Sequence, residues 1–270
     1  MSAPQLSASI AHLLESRSPR HAWEASRQLN PDAEREDDGR FDIGNVVHEL
    51  LLVGESRAVV GEWDEYRTNT AKAWRDGIRA QGLIPLRPKD SDRVFSMIAR
   101  VREQLDAFEL EIPLLEDGVA EIDLAWEENG VACKARVDWL RHDFRSIEDL
   151  KTTSRSASPE GFARRLYDIG ADVQAAFYLR GVWTLSEGSL TRAPEFRWIV
   201  AETEPPYCVS VVTPGADVLA LANAKVDRAL ALWARCVESD SWPGYPAVVH
   251  TAELPPWEEA RFLARMEEIE

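Results

Sequence analysis

The chain has 270 residues, 45% of them hydrophobic and 29% charged, a globular composition with enough apolar mass for one large domain or two small ones. A formal net charge of −16 excludes a general polyanion binder, because phosphate binding needs local Lys and Arg density; any nucleic-acid site here must be locally basic or neutralised by metal ions. Cys133, Cys208 and Cys236 are too widely spaced for a zinc site or a disulfide framework, and neither a membrane-length apolar run of roughly 18 residues nor a secretory signal is present, so a cytoplasmic protein with no membrane partner is expected.

No repeat, low-complexity segment or linker divides the chain, which reads as one domain over residues 1–270 with a helical part to about 110 and a core over about 111–250. "SASIAHLLES" has helical spacing, as does "IGNVVHELLLVG", opened by Gly44 and closed by Gly54. "DEYRTNTAKAWRDGIRAQ" (64–81) reads as an exposed helix, and "SDRVFSMIARVREQL" (91–105) as another with Ser91 or Asp90 as its N-cap. The period then changes to two in "AEIDLAWEENGVACKARVDWLRHDFRSIEDLK", where "EENG" and "RHDF" are turns between three antiparallel strands. Ser158 and Pro159 start a helix that runs through "GADVQAAFYLRGVWTL" with a break near Gly170. Two further strands flank Pro205 and Pro206, and "GADVLALANAKVDRALALWARCVES" is a long amphipathic helix with Ala222, Val226, Ala229 and Trp233 on its buried stripe. A Pro-rich tail leads to a short charged helix. This order predicts a mixed α/β domain with helices on both faces of the sheet.

The hairpin "CKARVDWLRHDFRSIEDLK" places charge where a buried strand favours apolar residues. Alternation puts Asp149 and Lys151 on one face of their strand, with Glu148 and Leu150 on the other, and closure through Arg141–Arg145 brings Asp138 towards Asp149. Two close carboxylates repel unless a cation lies between them, and oxygen ligands suit Mg²⁺ or Mn²⁺. The D-x-K spacing fits a metal-assisted phosphoryl site, but taken alone it fits better a salt bridge between Asp149 and Lys151 on a solvated face, since such i, i+2 pairs are common on strands. His48 lies among Val47, Leu51 and Leu52 and reads as a ligand or as a packed core histidine; Gln174 and Tyr178, four apart on one helix, read as phosphate-binding donors or as an amphipathic boundary.

The combination is more specific than its parts. A histidine in a helix, then Asp138, then D-x-K on the next strand, then Q-x-x-x-Y on the following helix resembles the PD-(D/E)XK nuclease superfamily in its RecB-like branch. From "SPRHAW" through "GNVVHELLL", "CKARVDWL", "EDLKTT", "DVQAAFYL", "EPPYCVSVV" and "WPGYPAVVHTAELPPW" the chain resembles the exodeoxyribonuclease VIII (RecE-type) nuclease domain of phages and prophages. "GADVQ" departs from that pattern, with Ala171 where an aromatic is common.

The resemblance implies a restriction-endonuclease-like core, a mixed central sheet flanked by helices. It implies His48, Asp138 and Asp149 as metal ligands with the Leu150 carbonyl, Asp138, Asp149 and Lys151 as the catalytic set, and Gln174 and Tyr178 at the DNA backbone. Arg155 is a further DNA-binding candidate, with Arg164, Arg165, Arg67 and Lys72 behind it; Glu121 is a possible additional acid, beside Asp123 and Glu127. The implied activity is a Mg²⁺- or Mn²⁺-dependent exonuclease acting on double-stranded DNA ends, 5′ to 3′, in phage-type recombination. The implied partners are a single-strand annealing protein and further copies of the chain in a ring. An endonuclease of the same fold, a non-catalytic DNA-end-binding factor, and an α/β protein with a merely acidic surface are the alternatives.

Overall fold

The computed structural model describes residues 3–33 and 42–267; the last three residues of the expected charged C-terminal helix lie outside the described residues. Five strands form the main sheet in chain order: β1 (Gly118–Glu128), β2 (Val131–Arg141), β3 (Ser146–Thr153), β4 (Glu195–Glu202) and β5 (Val209–Val212). All neighbours run antiparallel except β3 and β4, which are parallel and joined over one face by α1 (Pro159–Ala163) and α2 (Ala171–Leu185). Parallel neighbours require such a crossover.

The two central strands are buried on both sides, and their alternation divides the core. Ile147 of β3 and Phe196, Trp198 and Val200 of β4 enter a cluster with α2, α3 (Ala8–Ser16) and α4 (Ala216–Ser239). Leu150, Ile199 and Ala201 enter a second cluster with α5 (Asp42–Leu52) and α6 (Pro88–Leu105). Each fully buried side chain of this kind contributes roughly 1.5–3 kcal/mol. Ala222, Val226, Ala229 and Trp233 are buried along α4, the stripe expected from spacing.

Three details differ from expectation. The helical first third also holds a two-stranded parallel sheet, β6 (Ala58–Val60) with β7 (Ile84–Leu86), around α7 (Asn69–Ala80); three-residue strands are too short to show a period. Helix α6 starts at Pro88, not at Ser91: Pro88 occupies the first turn, where no N–H is needed, and Asp90 is bound by the Arg87 guanidinium instead of capping. The break expected near Gly170 is present but wider than a single residue: the helix from Pro159 ends at Ala163 and resumes at Ala171. Gly170 supplies the break at φ +68°, and a Cβ there would lie 2.4 Å from His12 Cγ.

Candidate active site

The β1–β2 hairpin turns on Asn129 and Gly130, both at positive φ, the arrangement that a two-residue turn of twisted strands requires. Its register pairs Ala120 with Trp139 and Ile122 with Val137, so Glu121 lies across from Asp138. Glu121 itself adopts φ +52°, a left-handed conformation that costs a non-glycine residue energy and gathers at functional sites. On β2 the alternation slips at the same place: Val137 and Leu140, three residues apart, both enter one core cluster. Between β2 and β3 only Trp139–Glu148 and Leu140–Ile147 pair; beyond them the Asp138 carboxylate accepts the Leu150 N–H at 2.9 Å, in place of a backbone carbonyl.

Helix α5 brings in His48. Val46 and Val47 anchor the helix in the second core, and Gly44 allows it to approach β3 so closely that a Cβ would meet Thr152 Oγ1 at 2.6 Å. Gly44 therefore lies inside the helix, which begins by Asp42, and serves its packing instead of opening it. His48 Nε2 is 2.8 Å from Asp138 Oδ2, and Nδ1 is 3.2 Å from Glu121 Oε1. Beside this trio, Asp149 is wholly buried. Lys151 Nζ lies 2.5 Å from its Oδ2, Gln174 Nε2 donates to its Oδ1 at 2.8 Å, and Lys151 Nζ donates to Gln174 Oε1 at 2.8 Å. Tyr178 follows one helical turn on, on the same face of α2 as Gln174.

The electrostatics follow from that crowding. Burial pushes the Asp149 carboxyl up to about 6, with Lys151 opposing and the Asp138 charge adding to the rise. Glu121 is also raised by burial, against the pull of His48. Burial alone would lower His48, but its bond to Asp138 and the charges of Asp138, Glu121 and Asp149 outweigh it and hold the imidazole above its ordinary value. Burial raises the Tyr178 hydroxyl strongly, which keeps it a neutral donor.

The residues singled out in the sequence therefore fall into three places. His48 and Asp138 meet with Glu121, their ligand atoms all within 4.8 Å of one another. Asp149, Lys151 and Gln174 form an adjoining hydrogen-bonded unit, and Leu150 presents its N–H to Asp138. Arg155 stands exposed past the end of β3, lining a cavity of about 790 Å³ that also reaches Lys151. Arg165 is committed to structure, donating to Thr153 Oγ1 and to the Ser156 and Gly161 carbonyls. Glu148, on the opposite face from Asp149, is buried and pins the Leu115 N–H at 2.5 Å, a role that spacing did not disclose. Glu121 was legible by counting: a two-residue turn at Asn129–Gly130 sets it opposite Asp138.

The donor set suits a hard divalent cation. Carboxylate oxygens and one imidazole nitrogen converge beside the Asp149–Lys151 pair, the oxygen-rich environment such an ion prefers.

Comparison with known proteins bears on the fold and the family. The model of the PDDEXK-like domain of unknown function (DUF3799) matches residues 9–252. A crystal structure from Eubacterium rectale, described as a "Putative exonuclease", superposes with a TM-score of 0.62 over 95% of this chain and 92% of that one, at 15% identity. That likeness concerns the fold, which is the restriction-endonuclease-like core. A further structure, SSO0001, reaches a TM-score of 0.30 at 14% identity, covering 77% of this chain and 97% of that one. No match was found among curated proteins. With nearly the whole chain matched, and a histidine, three carboxylates and a lysine drawn together where its strands part, the protein belongs to the PDDEXK-like family DUF3799.

Proposed function

We propose that the chain is a divalent-metal-dependent deoxyribonuclease that degrades DNA from double-stranded ends in the 5′ to 3′ direction, as RecE-type enzymes do. The observation that carries the reading is the junction of two units, the His48–Glu121–Asp138 trio and the Asp149–Lys151–Gln174 unit, at one point of the sheet. A binding scaffold gains nothing from burying carboxylates whose desolvation costs several kcal/mol without a cation.

His48, Glu121 and Asp138, with Asp149 and the Leu150 carbonyl beside them, would hold Mg²⁺ or Mn²⁺. Such an ion, when bound, supplies Lewis-acid polarisation of a phosphate and neutralises its charge. Lys151 does the rest of the electrostatic work. Two of its three N–H donors are directed to Asp149 and Gln174, which fixes the ammonium and leaves the third for an attacking water or a non-bridging phosphate oxygen. Gln174 orients both members of the Asp149–Lys151 pair. Tyr178, kept protonated, offers its hydroxyl to the DNA backbone.

In this reading the product is a 3′ single-stranded tail, handed to a single-strand annealing partner, and several copies of the chain enclose the duplex as a ring in phage-type recombination. The test is degradation of end-labelled linear duplex with Mg²⁺, with EDTA, and with Asp149→Ala. Metal-dependent release of nucleotides from the 5′ end, absent in the variant, is the expected result. Cutting of covalently closed circles would replace the exonuclease by an endonuclease, and binding without any cleavage would make the chain an end-binding factor.

A further inference from the structure

A groove of about 1140 Å³ runs away from the site between the start of α3, the β1–β2 hairpin and the start of α2. Gln174 and Tyr178 line its inner end, so it is continuous with the Asp149–Lys151–Gln174 unit. Its wall carries Lys134 and Arg136, and its rim carries His12 and the hydroxyls of Ser7 and Ser9.

The charge along this groove departs from that of the molecule. In a chain of net −16, the groove is lined by two permanent cations and one histidine against a single carboxylate, Asp123. Asp123 holds the Arg136 guanidinium through two bonds, 2.8 and 2.6 Å, in a pair more than three-fifths exposed. Such a pair is worth little in water, fixes the guanidinium in position, and leaves it an unused N–H edge. Lys134 makes no ion pair among the described residues and is exposed. Asp138, Arg136 and Lys134 follow one another along β2 in two-residue steps of roughly 6.5–7 Å each, about one nucleotide of sugar-phosphate backbone. The groove also offers Leu13, Leu124 and Ile169 as apolar surface. Its volume slightly exceeds that of a drug-sized ligand pocket, room for about two or three unpaired nucleotides.

We infer that this groove receives a single strand of nucleic acid, with Arg136 and Lys134 taking successive phosphates next to the one held at the His48–Glu121–Asp138 trio. The inference rests on the nuclease reading for the identity of the polymer, and its contact scheme is separate from cleavage. Each cation acts on a phosphate, so the groove reads backbone and not sequence.

The test is fluorescence anisotropy of a short labelled oligothymidylate with the full chain in Ca²⁺, across a series of salt concentrations, for wild type, Lys134→Glu, Lys134→Glu/Arg136→Glu, Lys134→Arg and the remote surface change Arg235→Glu. The expected result is a loss of roughly tenfold or more in affinity for the double variant, a salt dependence shallower by about one counterion per phosphate contact removed, and rescue by Lys134→Arg. Arg235→Glu should bind as wild type does. Equal weakening by Arg235→Glu, binding indifferent to Lys134, or no oligothymidylate binding by the wild type would overturn the groove. A blunt duplex losing as much affinity as the single strand would overturn the assignment of its occupant. The two readings fail separately. Lys134-dependent binding by a protein that never cleaves DNA would remove the nuclease and keep the groove, whereas metal-dependent cleavage with Lys134-independent binding would remove the groove alone.

Discussion

Gln174 joins Asp149 to Lys151: its Nε2 donates to the carboxylate and its Oε1 accepts from the ammonium, both at 2.8 Å. A single carboxamide on α2 thus fixes two side chains on β3 that local alternation only places on the same face. Replacing it with leucine leaves Asp149 Oδ1, wholly buried, without its donor. Gln174→Leu should lower stability by about 1–3 kcal/mol, read from denaturant unfolding, and should lower kcat more than it raises KM. An unchanged kcat would show that the carboxamide is not what orients Lys151.

Glu121 combines a strained backbone with a place in the candidate metal group. Glu121→Gly removes the left-handed penalty, so its stability in the absence of metal should match or exceed that of the wild type by up to about 1 kcal/mol. Mn²⁺ affinity, measured by calorimetry, should fall by at least about tenfold, because one of three converging ligands is gone. Retention of full Mn²⁺ affinity would place the cation elsewhere.

Gly44 sets how closely α5 approaches β3, and thereby where His48 stands. A Cβ at this position meets Thr152 Oγ1 at 2.6 Å, while Thr152 Cβ is an ordinary 3.7 Å away. Gly44→Ala should therefore cost activity through displacement of α5, and adding Thr152→Ala, which removes the clashing oxygen, should restore much of it. This non-additivity is the diagnostic measurement, read as a coupling energy of about 0.5–3 kcal/mol in a double-mutant cycle. Additive losses would mean that the approach of the helix does not govern the site.

Arg155 lies beyond the end of β3 on the rim of the second cavity, exposed and without a side-chain ion pair among the described residues. As a backbone contact it would contribute charge and no chemistry. Arg155→Ala should weaken duplex binding modestly, flatten the salt dependence by about one counterion, and leave single-turnover cleavage of saturating DNA close to that of the wild type. A large fall in that rate would assign it a role next to the reacting phosphate instead.

Much of this molecule is written locally. Alternation and the Asn129–Gly130 turn determine the β1–β2 hairpin and its register, because both depend only on neighbouring residues and on positive φ. Helical spacing likewise identifies the buried stripe of α4 and the face of α5. The D-x-K step puts Asp149 and Lys151 on one face by period two alone. Where Asp149 directs its charge is another matter, since the clasp joins Lys151 to Gln174, 23 positions on, and the trio joins His48 to Asp138, 90 positions on. Their meeting depends on the parting of β2 from β3 after two pairs, the kink at Glu121 and the close seat of α5 on Thr152. Those are packing outcomes, fixed by which surfaces bury one another across the sheet, and no local pattern encodes them. The short β6–β7 pair and the groove beside Lys134 belong with them, since each is made by segments distant in the chain coming to rest side by side.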